Sequence, residues 1–349
     1  MSKKIIFYNT YHVGDTFFSQ AFIQNIIDST PTKHEYYIYA QYNTYMYTET
    51  MNIFDTKDHP EMHERTVSHI RDTPVDTNNF LFCYYEAENV LFINTWIGAM
   101  HYYCNKTDHI LHRYHNHMNF CNLLSYNTCY TLLVEDIRNQ FQIDIQYNNT
   151  VDHSSLLPIL PPISIDSFFT FREKHSDKKL IVYHNYPPGS QQAVPLRQDE
   201  HNALIKEILK THKDVIILIP HNNEDLLQYK KEVYETRLVF ISEEFGFSHD
   251  GSCRDVFFTA KIGFHSDLTI YYDIGRSFTY ICKTLIDDYL SGIVPTSNKR
   301  IHFGNCQYHF NVFNNRIFVP ENYVNFIYAN SYKQIVSIID NNIRESTTL

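Results

Sequence analysis

The sequence predicts an α/β fold built from two parallel-sheet domains. Short apolar runs typical of buried strands alternate with helical patterns, most clearly between residues 179 and 285. The chain has 349 residues, too many for one ordinary core, which suggests two domains of roughly 150 residues each. A proline-rich stretch around Pro158, Pro161 and Pro162 separates the halves. We therefore place a first domain at 1–155, a linker at 156–175, a second domain at 176–330 and a C-terminal helix at 331–349.

The first half opens with a strand over Lys3–Tyr8, and from Thr16 a helical pattern follows with its apolar residues on one face. Residues 43–78 are polar and rich in tyrosine, and we assign them to loop and short helix. Residues 151–171 can form neither a helix nor a central strand because of their prolines. The other predicted elements of this half are strands at 35–40, 79–85, 88–94 and 142–145, and a helix over 108–138.

The second half repeats a strand–helix unit four times, which predicts a parallel sheet. The strands are expected at 179–183, 214–219, 237–241 and 268–272, and the helices at 199–211, 223–231, 253–262 and 276–285. A last helix over Ser331–Arg344 has the apolar stripe Ile335, Ile338, Ile339 and Ile343.

Composition limits the partners. The net charge of −10 and the lack of a basic stripe argue against nucleic acid. The seven cysteines form no C-x-x-C pair, which fits reduced thiols in a cytosolic protein rather than a disulfide framework or a zinc site. The chain passes from Met1 directly into a strand, and its apolar runs are too short to span a membrane. We expect a cytoplasmic protein, for which peripheral membrane contact stays open.

The sequence around His12-Val13-Gly14-Asp15 connects the first strand to the first helix. In an α/β sheet this turn lies at the carboxyl ends of the strands, where ligands bind and where the free N–H groups of a helix start can face an anion. An Asp at such a turn is equally an ordinary helix N-cap. The local sequence leaves both readings of Asp15 open.

Segments in both halves of the chain resemble the heptosyltransferase-like glycosyltransferases of family 9. The opening IIFYNTYHVGDTFFSQAFIQNI is similar to their strand, Gly-Asp turn and apolar helix. In the second half, HNYPPGS after KLIVY resembles their proline-glycine-serine loop, and Asp273-Ile274-Gly275-Arg276-Ser277 resembles their Asp-x-Gly-x-Ser turn. The resemblance implies the GT-B fold, in which two Rossmann-like domains face each other across a cleft, and a C-terminal helix that crosses back to the first domain.

The resemblance also implies an inverting sugar transfer from a nucleotide-sugar to a glycan or glycoconjugate. Asp15 would be the general base, which takes the proton of the acceptor hydroxyl. The turn with Asp273, Gly275, Arg276 and Ser277 would bind the donor diphosphate. No cofactor is expected beyond the donor itself, and no metal, because no Asp-x-Asp motif follows a strand.

Other candidates have ordinary alternatives. Asn185, Ser190 and Glu243 follow strands of the second half and are donor-site candidates, but turn formation and an exposed acidic pair explain them equally well. His12, Gly14, Thr16 and Trp96 are acceptor-site candidates, and packing is the simpler role for the tryptophan. The cluster His109, His112, His115 and His117 has no further ligand at convincing spacing except Asp108, so a solvated surface is the simpler reading.

The second half departs from the family pattern in two respects. Phe278-Thr279 follows Ser277, where the family usually has small residues and a histidine. The basic residue expected in the first loop of this half is not obvious, because Arg197 comes late and His184 is only partly charged. Two other functions therefore stay open: a GT-B-shaped sugar-nucleotide epimerase or hydrolase, and a non-catalytic protein that binds glycans or a partner.

Overall fold

The computed structural model describes the greater part of the chain. The contacts between residues divide it into two compact units, Met1–Pro161 and Pro162–Leu349. This division falls inside the predicted linker. The described residues are 2–10, 13–40, 44–75, 77–96, 114, 123–150, 159, 163–185, 196–220, 223–247, 254–271, 299–304, 325–328 and 331–345.

The first unit contains a five-stranded sheet with the strand order β3-β2-β1-β5-β4. Four of the strands are parallel, and β4 pairs antiparallel with β5 at one edge. The strands are β1 (Lys4–Asn9), β2 (Glu35–Ala40), β3 (Phe54–Asp55), β4 (Phe82–Tyr85) and β5 (Val90–Asn94), and the helices are α1 (Val13–Ser29), α2 (Tyr45–Thr48), α3 (Pro60–Asp72) and α4 (Leu123–Phe141).

Helices cover this sheet because its strands are apolar on both faces. The side chains of Ile6, Tyr8 and Phe92 belong to one buried cluster that includes Met62 of α3. Away from that cluster, α1 and α4 pack together, and Phe22 stacks on Tyr130 with 4.7 Å between ring centroids and 5° between ring planes. The β1 strand is buried from Ile5 to Asn9, as expected for the centre of a parallel sheet.

The second unit contains a six-stranded sheet, parallel in every pairing, with the strand order β11-β10-β9-β6-β7-β8. Counted from β6, this is the order 6-5-4-1-2-3 of the dinucleotide-binding Rossmann fold. The strands are β6 (Lys179–Tyr183), β7 (Val215–Ile219), β8 (Leu238–Phe240), β9 (Leu268–Tyr271), β10 (Lys299–Gly304) and β11 (Asn325–Tyr328). The helices are α5 (Asp166–Lys174), α6 (Gln198–Thr211), α7 (Glu224–Glu232), α8 (Ile241–Phe245), α9 (Arg254–Phe264) and α10 (Tyr332–Glu345).

Alternate residues of the second sheet enter two separate cores. Ile181, Ile217 and Ile219 pack with α6, α7 and α10 on one face. Leu180 and Val182 pack with α5 and α9 on the other face. Helices on both faces of a parallel sheet define the α/β class, so the predicted fold class is confirmed.

Several predicted elements are wrong. Residues 43–78 contain the helix α3, which begins with Pro60 at a position where a missing N–H costs nothing. Residues 142–145 form no strand. The predicted linker contains the helix α5, because the three prolines lie before it and its Phe168 and Phe171 are buried in a core.

The prediction that the C-terminal helix crosses back to the first domain stays a prediction. In the second unit, Ile335, Ile339 and Ile343 of this helix are buried in the core. Polar contacts hold it there as well. Lys179 Nζ donates to the carbonyl oxygen of Ile343 at 2.7 Å, and Asp340 Oδ1 lies 2.7 Å from His212 Nε2.

Candidate functional site

The first candidate site lies where the chain changes direction in the first sheet. From β1 the chain adds β2 and β3 on one side, and β5 then pairs with the other side of β1. Such a reversal opens a crevice at the carboxyl ends of the two strands, where α/β proteins bind ligands. The segment from Asn9 to Asp15 leaves β1 at this point, and the segment from Asn94 to Trp96 leaves β5.

The helix α1 begins earlier than the sequence predicted. It starts at Val13, so Gly14 and Asp15 belong to its first turn. Asp15 thus lies inside the helix and not at the N-cap position, which precedes the first helical residue. His12 lies outside the described residues.

A buried tyrosine supports the start of this helix. The hydroxyl of Tyr47, on α2, donates to the carbonyl oxygen of Thr16 and lies 2.8 Å from Ser19 Oγ, which also bonds that carbonyl at 2.9 Å. Burial raises the pKa of Tyr47, so its hydroxyl stays protonated as a donor. Tyr47 could not be predicted as a functional residue, because it is one of several neighbouring tyrosines and no motif in the sequence distinguishes it.

The side chains of Thr16 and Trp96 fit a packing role better than acceptor binding. Thr16 is fully buried, and Trp96 is 4% exposed, so the ring of the tryptophan has no open face on which a sugar would stack. The backbone N–H of Trp96 donates to Asn94 Oδ1 at 2.9 Å, while Thr95 N–H donates to the carbonyl oxygen of Tyr8 at 2.9 Å. These bonds fix the segment after β5 against β1.

The second candidate site lies at the corresponding reversal in the second sheet. The chain adds β7 and β8 on one side of β6, and β9 then pairs with its other side. His184 and Asn185 follow β6, and the backbone N–H of His184 donates to the carbonyl oxygen of Ile270 at 3.0 Å. Ser190, Asp273, Gly275, Arg276 and Ser277 lie outside the described residues, but their segments leave β6 and β9 at this same reversal.

His184 does not supply the positive charge that the sequence analysis looked for. It is 4% exposed, and burial lowers its pKa to about 3, so the imidazole is neutral at neutral pH. Arg197 is also engaged: its guanidinium lies 3.2 Å from Asp199 and 3.5 Å from Glu200. His184 is therefore uncharged at the sheet edge, whereas Arg197 at the start of α6 is an exposed cation paired with carboxylates.

Comparison with known proteins gives structural matches alone. No family model and no curated protein matches the sequence. The Escherichia coli heptosyltransferase WaaC with ADP is 9% identical and has a TM-score of 0.40, with 99% of this chain and 100% of that chain covered. A family 9 glycosyl transferase from Veillonella parvula is 10% identical with a TM-score of 0.45, covering 98% of this chain and 92% of that chain. E. coli ADP-heptose lps heptosyltransferase II is 8% identical with a TM-score of 0.46, covering 99% and 100%.

These matches fall in one class. The chain is similar in structure to heptosyltransferases and to a family 9 glycosyltransferase. Its two sequence motifs resemble the same class.

The helix that follows β6 carries its own counter-charge. Asp199 and Glu200 lie in the first turn of α6, and Glu200 accepts a hydrogen bond from the backbone N–H of Arg197 at 2.8 Å. Carboxylates in a first turn compensate the partial positive charge of a helix N-terminus. The start of α6 is therefore a poor place for a phosphate.

Glu243 lies at the carboxyl end of β8, two strands away from the reversal. Its side chain is half exposed, in the first turn of the short helix α8, and its carboxylate lies 3.9 Å from Lys230 Nζ. This arrangement fits the alternative that Glu243 belongs to an exposed acidic pair with Glu244 and does not bind the donor. Asn185, in contrast, is fully buried beside His184 at the reversal itself.

Within the described parts of the chain, no group of three or more His, Cys, Asp or Glu side chains is placed to hold a metal ion. The histidine cluster at 109–117 lies outside those parts. No helix among the described residues is both long enough and apolar enough to cross a lipid bilayer.

Proposed function

We propose that this protein is an inverting glycosyltransferase that moves a sugar from a nucleotide-sugar to a glycan or glycoconjugate acceptor. The first unit binds the acceptor at the reversal between β1 and β5. The second unit binds the donor at the reversal between β6 and β9. The reaction needs no metal ion and takes place in the cytoplasm.

One observation carries this proposal. The two motifs that resemble family 9 lie far apart in sequence, yet each leaves its own sheet at the strand-order reversal. The Gly14-Asp15 turn follows β1, and the segment 273–277 follows β9. Ligand crevices form at such reversals in open parallel sheets, so the topology gives both motifs a place at which to bind a ligand.

Asp15 has the chemistry of the base in this reaction. Attack on the anomeric carbon requires that a group take the proton of the acceptor hydroxyl. A carboxylate in the first turn of a helix is stabilised in its ionised form by the helix dipole, so Asp15 can accept a proton at neutral pH. The buried bond from Tyr47 to Thr16 holds this turn in place.

The donor diphosphate is assigned to the segment after β9. His184 is neutral, and the first turn of α6 already contains two carboxylates. Gly275 permits close approach of the backbone, and Arg276 and Ser277 provide a cation and a hydroxyl. Together they would stabilise the negative charge that develops on the departing nucleotide diphosphate.

A variant of Asp15 tests the acceptor half. We expect Asp15→Ala to lower transfer by at least about 100-fold, since general-base catalysis contributes on that order, while nucleotide affinity stays within about twofold. Asp28→Ala is the matched control, because Asp28 is an exposed carboxylate near the opposite end of the same helix. Full activity of Asp15→Ala would remove this residue from the mechanism.

A panel of nucleotide-sugars tests the donor half. A ligand that binds only the folded state raises the melting temperature, so the donor should stand out by thermal shift. Incubation of that donor without an acceptor then separates the functions. A transferase consumes it slowly, whereas an epimerase or hydrolase converts it at full rate. Calorimetry that finds no nucleotide affinity at all would favour a non-catalytic binding protein.

A further inference from the structure

The chain that leaves the first unit is held by polar side chains of α1. The backbone N–H of Gln146 donates to Thr30 Oγ1 at 2.9 Å. Asn25 accepts from the N–H of Asn148 and donates to its carbonyl oxygen, both at 2.9 Å. These contacts are followed by a third one at Gln20, so the anchors proceed from the end of α1 towards its start.

Gln20 makes the last and most buried of these contacts. Its side chain is 1% exposed. Its Oε1 accepts from the backbone N–H of Ile159 at 2.6 Å, and its Nε2 donates to the carbonyl oxygen of Ile159 at 2.9 Å. The same Nε2 lies 3.0 Å from the carbonyl oxygen of Met46 and 2.9 Å from Thr50 Oγ1.

The side chain of Ile159 does not hold this segment by packing. It is 54% exposed, so the two backbone hydrogen bonds to Gln20 are what fixes residue 159 on the first unit. A buried carboxamide that bonds both backbone polar groups of one residue selects a single backbone position, because displacement would leave buried groups without partners.

The second unit contacts the chain four residues later, at Ile163. Lys261, on α9, donates from Nζ to the carbonyl oxygen of Ile163 at 2.9 Å. Ile163 and Ile165 also pack against the core that contains Phe168 and Phe258. Position 163 is therefore fixed on the second unit by one hydrogen bond and by apolar contact.

The three residues between these anchors are Leu160, Pro161 and Pro162. Covalent geometry restricts each of them: proline fixes φ near −65°, and a residue that precedes proline is excluded from the helical region. Leu160 and Pro161 both precede a proline. The boundary between the two units, at Pro161 and Pro162, falls within this same tripeptide.

We propose that Gln20 and Lys261 are positioning residues that reduce the connection between the two units to three conformationally restricted residues. Without Gln20, the next described anchor upstream is the carbonyl oxygen of Asn149, which accepts from Asn127 Nδ2 at 3.3 Å, and the stretch between described anchors lengthens from residues 160–162 to residues 150–162. A longer connection allows the two units a wider range of relative positions. Because Gln20 lies on the helix whose first turn contains Gly14 and Asp15, the anchor also joins the connection to the proposed acceptor site.

The variant Gln20→Met tests this proposal without any substrate, so its result is independent of the proposed function. Methionine keeps the length of the side chain and removes both hydrogen bonds to Ile159. Hydrogen exchange of the full chain should show the Ile159 amide exchanging at least about tenfold faster than in the wild type, as expected when a local anchor is lost. Small-angle scattering should show a broader distribution of interatomic distances. Asn25→Leu removes the upstream bonds to Asn148 and the bond from Ser29 Oγ but keeps Gln20, so the exchange at Ile159 and the distribution of interatomic distances should both stay unchanged.

A second variant covers the case in which Gln20→Met destabilises the first unit. Lys261→Met acts on the opposite end, and it should broaden the scattering profile without changing exchange at Ile159. If the Ile159 amide of Gln20→Met exchanged at the wild-type rate, Gln20 would not be an anchor for residue 159. If the scattering of both variants matched the wild type, the two anchors would not restrict the connection between the units.

Discussion

Tyr47 shows how one buried hydroxyl can hold a candidate active-site helix. Its ring is fully buried on α2, and its hydroxyl reaches the Thr16 carbonyl in the first part of α1. That carbonyl also accepts from Ser19 Oγ at 2.9 Å. The strand β1 ends at Asn9, so the path from the sheet to Asp15 depends on where this helix begins.

We expect Tyr47→Phe to lower the free energy of unfolding by about 1–2 kcal/mol, since it removes the buried hydrogen bond from the Tyr47 hydroxyl to the Thr16 carbonyl oxygen. Urea denaturation measures this loss. Tyr234→Phe is the control, because Tyr234 is 88% exposed and its hydroxyl faces water. Equal stability of the two variants would show that the hydroxyl of Tyr47 adds nothing to the folded state.

At the same scale, the sequence predicts the position of the candidate residues in the fold better than it predicts which of their side chains are buried. A glycine and an aspartate between an apolar strand and an apolar helix identify the ligand edge, and Asp15 does follow the central strand β1. Burial is a different matter. Nothing in the sequence tells that Thr16 is fully buried or that Trp96 is 4% exposed, because these values depend on neighbours distant in sequence.

Among the secondary-structure elements, α10 stabilises the second unit. Its three buried isoleucines lie at spacings of four residues and enter the core beside β6 and β7. Tyr332 at its start donates to Glu207 at 3.0 Å, and Asp340 contacts both His212 and Arg344. The helix is part of the second fold, so its removal would expose an apolar sheet face.

We expect Ile339→Ala to lower the free energy of unfolding of the second unit by about 2–5 kcal/mol, the usual range for truncation of a buried isoleucine. Lys333→Ala, on the exposed side of the same helix, should change it by less than about 0.5 kcal/mol. Chemical denaturation monitored by circular dichroism compares the two. A loss at Ile339 no larger than that at Lys333 would mean that the helix is not docked in solution.

The elements that the sequence predicted well are those with one strong period. The strands β6 and β7 are continuous apolar runs, and the structure places them within one residue of the predicted ends. The helix α3 was missed because Met62, Thr66 and His69 are its buried residues, and two of these three are polar. The packing of α10 in the core of the second unit could not be predicted for another reason, since an apolar stripe predicts that a helix is buried on one side but not against which surface.

At the scale of the whole molecule, burial keeps three histidines of the described residues neutral at neutral pH. Burial lowers the pKa of His69 and of His201 to about 4, and that of His184 to about 3, from an ordinary value of 6.5. A nearby Arg65 lowers the pKa of His69 further. Both ring nitrogens of neutral His69 have hydrogen-bond partners. The Tyr8 hydroxyl donates its proton to the Phe80 carbonyl oxygen, so it accepts from His69 Nε2 at 3.3 Å. His69 Nδ1 is then the acceptor for the Tyr85 hydroxyl at 3.1 Å.

These histidines predict loss of stability in mild acid. Their pKa values are lower in the folded state, so between pH 6.5 and about 4 the unfolded chain binds more protons, and stability falls as the pH falls through this window. Each histidine adds about 1.4 kcal/mol per pH unit near pH 5, or about 4 kcal/mol for all three. Urea unfolding between pH 7 and pH 4.5 measures this slope.

His201→Asn, which keeps a polar partner for the Tyr183 hydroxyl at the position of Nδ1, should reduce the slope by about one third, since one of the three protons is lost. The exposed His265 serves as the control in His265→Asn, and a slope in His201→Asn as steep as in that control would show that His201 takes up no proton on unfolding.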